Sequence, residues 1–267
     1  MTHPLFDLSG RVALVSGAAQ GMGRAMAIGF AESGADVMIC DINAEGVQAT
    51  ADRIKKLGRR AVPVTCDITD IEQIRAMFAQ LDREFGKIDI LGNVAGPAKL
   101  GKPEDIELAH MEKILHALLV ARFCCCQEGG RRMMAQGKGS IINFSSIGGA
   151  SALGRGNFAY SVGMGGVIQM TRELSTEWSG RGVRVNAVLP AQVRNPGLEE
   201  RMQADPNLES MFLRGIPIGR LGQPDDIKGL AIFLASDASS WITGAIIPMD
   251  GGNLAQNAGG TAGPHKA

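Results

Sequence analysis

Eight residues near the N-terminus, Ser16-Gly17-Ala18-Ala19-Gln20-Gly21-Met22-Gly23, lie between an apolar β-branched run, Arg11–Ser16, and a stretch of helical period at 22–33. Three glycines at such a junction permit a tight strand-to-helix turn and a close approach of backbone to ligand. The helix then turns its unpaired N–H groups toward whatever lies over the turn, which favours a pyrophosphate. Spacing of the GxxxGxG kind also arises where packing asks for small residues, so its surroundings decide. The next apolar run, Asp36–Asp41, ends in an acid, Asp41, 18 residues after Gly23. A carboxylate there accepts hydrogen bonds from both hydroxyls of an adenosine ribose and repels a 2′-phosphate. Neither Gln20 nor Ile42 is basic. The loop reads as a site for NAD, and the plainer reading of Asp41 is a loop cap.

Further runs at Ala61–Asp67, Ile88–Asn93, Ser140–Ser145, Val183–Leu189 and Ala245–Met249 alternate with helical stretches at 44–57, 70–84, 110–136, 158–179 and 224–236. Asp70 and Pro224-Asp225 supply helix starts; Gly58, Gly86 and Gly180 supply stops. Strand–helix alternation repeated this often predicts an α/β fold, a doubly wound parallel sheet covered on both faces. No Pro-, Gly- or Ser-rich linker interrupts the first 250 residues, so 1–252 is expected to form one domain. The Gly-rich stretch 253–267 is expected to be a C-terminal tail, mobile or laid over a neighbouring subunit.

Lys plus Arg and Asp plus Glu each number 27, so the formal net charge is zero, without the basic surplus that nucleic acid demands. No run of 18 uncharged apolar residues and no signal sequence is visible, which excludes a membrane partner at this stage. Five cysteines, three of them adjacent (Cys124-Cys125-Cys126), make neither a disulfide framework nor a spaced zinc site; a cytoplasmic location is expected. The four histidines show no ligand spacing, so no metal is expected.

With these residues in place, the chain resembles the short-chain dehydrogenase/reductases from about Phe6 to Gly252. Asp67-Ile68 matches the pair that flanks adenine in that family. Asn93-Val94-Ala95-Gly96 is similar to its Asn-Asn-Ala-Gly segment, and Pro190-Ala191-Gln192-Val193-Arg194-Asn195 to its Pro-Gly-x-x-x-Thr stretch beside nicotinamide. Arg220-Leu221-Gly222-Gln223-Pro224 and Asp250-Gly251-Gly252 fit its closing pattern. The resemblance implies a Rossmann-type fold, NAD held by Gly17, Gln20, Gly21, Met22, Gly23, Asp41, Asp67, Ile68, Asn93, Ala95, Gly96, Tyr160, Pro190, Val193 and Asn195, and a small-molecule alcohol or carbonyl substrate.

The family's chemistry uses a Tyr to move the proton on the substrate oxygen, a Ser to hold that oxygen, a Lys four residues after the Tyr, and an Asn on a preceding helix. Tyr160 is the only tyrosine of the chain, and Ser146 lies 14 residues before it, with Ser145 as the alternative. The resemblance makes Tyr160 and Ser146 the catalytic pair. The Lys and Asn positions, however, hold Met164 and Leu118. An unassisted phenol near pKa 10 is ionised about once in a thousand molecules at neutral pH, a handicap of about 4 kcal/mol for alcohol oxidation and a smaller one for carbonyl reduction. Arg155 and Arg194 are candidate compensating cations, or else solvated surface arginines.

Three accounts of Met164 stay open: an introduced substitution, a slow or specialised reductase, or an NAD-binding protein that has lost its chemistry. The segment 197–214 occupies the place of the family's substrate lid, where Met202, Met211, Phe212 and Leu213 line a cleft or merely pack. By resemblance, helices 110–136 and 158–179 form tetramer contacts, with Ala117, Ala121, Gly165, Gly166 and Ile168 allowing close approach, so a homotetramer is expected.

Overall fold

Seven strands, all paired in parallel, form one sheet in the order β3-β2-β1-β4-β5-β6-β7 in the computed structural model, which describes residues 3–96 and 101–256. They are β1 (Val12–Ser16), β2 (Asp36–Asp41), β3 (Ala61–Thr65), β4 (Ile90–Asn93), β5 (Gly139–Phe144), β6 (Val183–Pro190) and β7 (Ile246–Met249). Each crossover passes through a helix: α1 (Gly21–Glu32), α2 (Ala44–Lys56), α3 (Ile71–Phe85), α4 (Leu108–Leu115), α5 (Ala121–Gln136), a short α6 (Ile147–Ala150), α7 (Phe158–Trp178), α8 (Pro196–Ala204), α9 (Leu208–Leu213) and α10 (Ile227–Ala235).

The alternation of strand side chains divides the core in two. Ala13, Val15, Val37 and Ile39 meet α1, α2 and α10 on one face; Leu14 and Met38 meet α3, α5 and the end of α7 on the other. Strand order reverses between β1 and β4, which opens a crevice beyond the carboxyl ends of these strands.

Most element ends follow the expected signals. Asp70 caps α3 by accepting from the amides of Glu72 (2.9 Å) and Gln73 (3.2 Å), and Gly86 closes it in the left-handed conformation, φ +69°. Two expectations need correction and one needs refinement. The left-handed stop after α7 is Gly182 (φ +82°), because Gly180 falls inside a 3-10 turn, Ser179–Arg181. The stretch 110–136 is helical throughout as expected, with a π turn, His116–Val120, inserted between α4 and α5. Not all of 253–267 is a tail. Asn253–Gln256 form a helical turn, α11, anchored by Asp250, whose carboxylate accepts from Gly252 N (2.9 Å) and Leu254 N (2.7 Å). Residues 257–267 lie outside the described residues. Among those described, no helix is long and apolar enough to cross a membrane, and no group of His, Cys, Asp and Glu is arranged to hold a metal.

Candidate active site

Ser16 ends β1 and ties it to the loop after β4. Its Oγ accepts from the amides of Val94 (3.1 Å) and Ala95 (3.3 Å). That draws the loop after β4 against Gly17, where a Cβ would stand 2.9 Å from Ala95 N; φ is +70°. A Cβ on Gly23 would overlap the Gly17 carbonyl, so α1 can begin under the turn only with glycine there. Gly21, at φ +56°, opens α1 with nothing within 4 Å of the missing side chain. Gln20 is its N-cap residue but makes no side-chain cap bond, and Met22 packs down onto the core. The cradle is buttressed from below: Thr50 Oγ1 donates to Ala18 O (2.8 Å), and Arg24 donates to both Thr50 Oγ1 and Ala19 O.

Asp41 stands at the end of β2 with its carboxylate over this turn. Oδ2 accepts from Ala19 N and Oδ1 from Asn43 N, each at 3.1 Å. Ile42 beside it is exposed. The carboxylate of Asp67 accepts from Thr69 N and Oγ1, both 2.8 Å, while Ile68 is buried beneath it. A backbone cradle that no side chain can fill, with a fixed carboxylate at one end, fits the pyrophosphate and adenosine ribose of a dinucleotide.

Other expected coenzyme contacts turn out to be committed within the protein. Asn93 turns inward, donating to Asn143 Oδ1 (3.0 Å) and Cys126 Sγ (3.2 Å). Asn143 donates in turn to Thr171 Oγ1 (3.1 Å), which joins β4, β5 and α7 through one buried chain. Pro190 ends β6 and Val193 is buried, bridging to Gly222. Asn195 caps α8: its Oδ1 accepts from Leu198 N (3.0 Å) and its Nδ2 donates to Val193 O (2.9 Å).

The extended chain after β5 sends its two serines opposite ways. Ser145 Oγ donates to the carbonyl of Met164, 2.8 Å away in α7. Ser146 caps α6, accepting from Gly148 N (3.1 Å), and its hydroxyl lies on the side of Tyr160, in the first turn of α7, whereas Ser145 is committed to Met164. Burial pushes the Tyr160 phenol up, and the Ser146 hydroxyl and the positive charge of Arg122 draw it partly back.

Around Tyr160 the expected polar relay is hydrocarbon. Leu118, on the π turn, is fully buried and Met164 nearly so; with Ile114, Ala159 and Val167 they form an apolar cluster against which Tyr160 packs. Neither expected cation compensates. Arg194 is paired with Glu199 (2.8 Å) and Glu209 (2.5 Å), and Arg155 lies exposed over the Phe212 ring, 5.2 Å from its centroid. Arg122 is the buried cation instead, 2% exposed, donating to Phe144 O and to Ala95 O (2.8 Å). Its sequence signal was a charge one helical turn after Leu118, on the same inward stripe.

The lid residues favour the packing reading. Phe212 is buried, and Met202, Met211 and Leu213 join it, Leu198, Leu208, Ile216 and Leu221 in a small core of their own. His116 turns away from the site, its Nε2 2.8 Å from Thr69 O, and all five thiols are buried.

The family model described as enoyl-(acyl carrier protein) reductase matches residues 17–253. D-threitol dehydrogenase of Mycolicibacterium smegmatis is 38% identical over 247 residues, covering 92% of this chain and 94% of that protein. Among solved structures, a gluconate 5-dehydrogenase from Burkholderia cenocepacia in complex with NADP and tartrate superposes with a TM-score of 0.88 at 31% identity, covering 94% of this chain and 98% of that one. A 7α-hydroxysteroid dehydrogenase complexed with NADH and 7-oxo glycochenodeoxycholic acid superposes with a TM-score of 0.89 at 30% identity, covering 99% and 100%. With the glycine cradle, the parallel sheet and the Ser146–Tyr160 pair, these likenesses make the chain a member of the short-chain dehydrogenase/reductase family.

Proposed function

We propose that the protein is an NAD(H)-dependent oxidoreductase that interconverts a secondary alcohol and a ketone. The observation that carries this is the meeting of Ser146 and Tyr160 at the carboxyl edge of the sheet that also carries the glycine cradle. When bound, the nicotinamide coenzyme supplies or accepts the hydride. Tyr160 gives the proton to a carbonyl oxygen, or takes it from an alcohol, and Ser146 holds that oxygen in place. Burial holds the phenol in its protonated form, the form that gives a proton to a carbonyl oxygen.

The choice of NAD over NADP rests on Asp41, whose carboxylate occupies the ribose end of the cradle, with apolar Ile42 and uncharged Gln20 beside it. Gly17, Gly21 and Gly23 hold the pyrophosphate, Asp67 and Ile68 the adenine, and the loops at Ala95–Gly96 and Pro190–Asn195 flank the nicotinamide. Relatives acting on D-threitol and gluconate support a small hydroxylated substrate.

Titration with NADH and NADPH, followed by a screen of polyols and hydroxyketones, tests the reading. Selective NADH binding and turnover lost in Tyr160→Phe are expected. Binding without turnover of any carbonyl compound would leave a coenzyme-binding protein without chemistry.

A homotetramer is proposed as well, with a shifted contact surface. Ala117, Ala121 and Ile168 are buried within the chain, whereas Val120, Phe123, Phe158 and Val162 present apolar side chains outward. Light scattering should give four times the chain mass, and Val162→Glu should lower it.

A further inference from the structure

The family resemblance places a cation at position 164, where Met164 stands, yet one is buried nearby, against Leu118 of the cluster on which Tyr160 packs. Arg122 lies on α5, four residues after Leu118, and its guanidinium is wedged between the ends of two strands. One nitrogen donates to the carbonyl of Phe144, two residues before Ser146. The other donates to the carbonyl of Ala95, next to Gly96. A Cβ on Gly96 would meet Leu118 at 2.7 Å and Arg122 Nη2 at 3.3 Å, so that loop rests directly on the pair.

Two carbonyl dipoles orient the guanidinium but do not neutralise it, and no carboxylate pairs with it among the described residues. Removing an unpaired charge from water is costly, and a guanidinium stays protonated throughout the working range of proteins. Arg122 and Leu118 meet the same loop at Gly96, and Tyr160 packs on the Leu118 cluster from α7, so the ionisable groups within reach of the guanidinium are Tyr160 and, from its own helix, Cys125 and Cys126. Burial keeps both thiols protonated, the Cys126 thiol pushed up to about 12 and that of Cys125 well above its ordinary value. Tyr160 alone is left to receive the charge. Leu118 closes the space on the other side, with Cδ1 3.1 Å from where a Gly163 Cβ would stand, so little water screens the interaction.

We propose that Arg122 is a positioning residue for proton transfer, a fixed charge on α5 that stabilises the phenolate form of Tyr160 and replaces the side chain absent at position 164. The proposal rests on the reading of Tyr160 as the proton-transfer group. It also accounts for a guanidinium kept where a hydrocarbon side chain would pack more cheaply.

Because the chain has one tyrosine, its ionisation is a single NMR resonance when the ring carbon bearing the oxygen is labelled. The titration midpoint should rise by roughly one pH unit or more in Arg122→Gln, and stay close to wild type in Arg122→Lys. In turnover, Arg122→Gln should lose roughly tenfold in kcat for alcohol oxidation at neutral pH, recovered in Arg122→Lys. An unchanged midpoint in folded Arg122→Gln overturns the proposal whatever turnover shows. Should Arg122→Gln not fold, Arg122→Met fills the same space with hydrocarbon and no charge. It must raise the midpoint likewise, and no rise there also overturns the proposal. The titration needs no turnover, so the expected shift in a protein that oxidises no alcohol would sink the enzymatic reading and keep the electrostatic one.

Discussion

Ser145 and Met164 are joined by a 2.8 Å hydrogen bond, from the Ser145 hydroxyl to the Met164 carbonyl. The backbone of Met164, the position that the resemblance matches to the family's lysine, is thereby tied to the end of β5. Gly149 lets α6 abut the same place, since a Cβ there would lie 2.7 Å from the Met164 carbonyl.

Restoring the lysine alone should therefore be harmful. Met164→Lys puts an ammonium among Leu118, Ile114 and Val167, and should destabilise the fold by about 2–4 kcal/mol in urea unfolding. Adding Leu118→Asn gives it a polar neighbour, and the double variant should recover about 1 kcal/mol or more beyond additivity. Simple additivity would show that the two positions do not communicate.

Oxidation and reduction should respond oppositely to pH. Burial raises the Tyr160 phenol above its ordinary value of 10.0. Alcohol oxidation, which needs the phenolate, should rise about tenfold per pH unit through the neutral and mildly alkaline range. Carbonyl reduction should be level there and fall only once the phenol ionises. Tyr160→Phe should lower turnover by about 10²–10⁴ in both directions while leaving NADH affinity within a few-fold.

Coenzyme choice should follow Asp41. Asp41→Ser removes the acceptor for the ribose hydroxyls and for Ala19 N, and should weaken NADH binding by about 10- to 100-fold. Asp41→Ser with Ile42→Arg should turn the preference toward NADPH, read by calorimetry. Retention of NADH selectivity in the double variant would place the discrimination elsewhere.

The thiols make the fold sensitive to alkali. Cys126, ordinarily near 9.0, is pushed up to about 12 in the folded protein by burial. A group whose folded value is raised contributes stability that is present below its unfolded value and lost as pH rises toward the folded one. Unfolding free energy should fall from about pH 9, by about 1.4 kcal/mol per unit for this thiol. Cys126→Ala should flatten that slope in denaturant titrations at successive pH values.

The glycine cradle and the sheet were legible because their signals are local. Gly17 and Gly23 answer to contacts with Ala95 and with the turn itself, and β2 runs over Asp36–Asp41 as its apolar pattern indicates. What escaped the sequence depends on direction in space. Asn93 and Asn195 have the right types for coenzyme contacts, but the fold turns one into the core and gives the other to a helix cap. The π turn at Leu118 leaves no mark in hydrophobic period. The spacing of Arg122, one helical turn after Leu118, is visible in the sequence, whereas its burial against the carbonyls of Phe144 and Ala95 depends on the fold.

The buried chain from Asn93 through Asn143 to Thr171 locks β4, β5 and α7 together, next to the β1–β4 pair where the strand order reverses. The two helices α8 and α9, by contrast, share a small core with little tie to that frame. Amide exchange should then divide the molecule. Strand amides around Asn143 wait for global unfolding, while those of α8 and α9 open on their own.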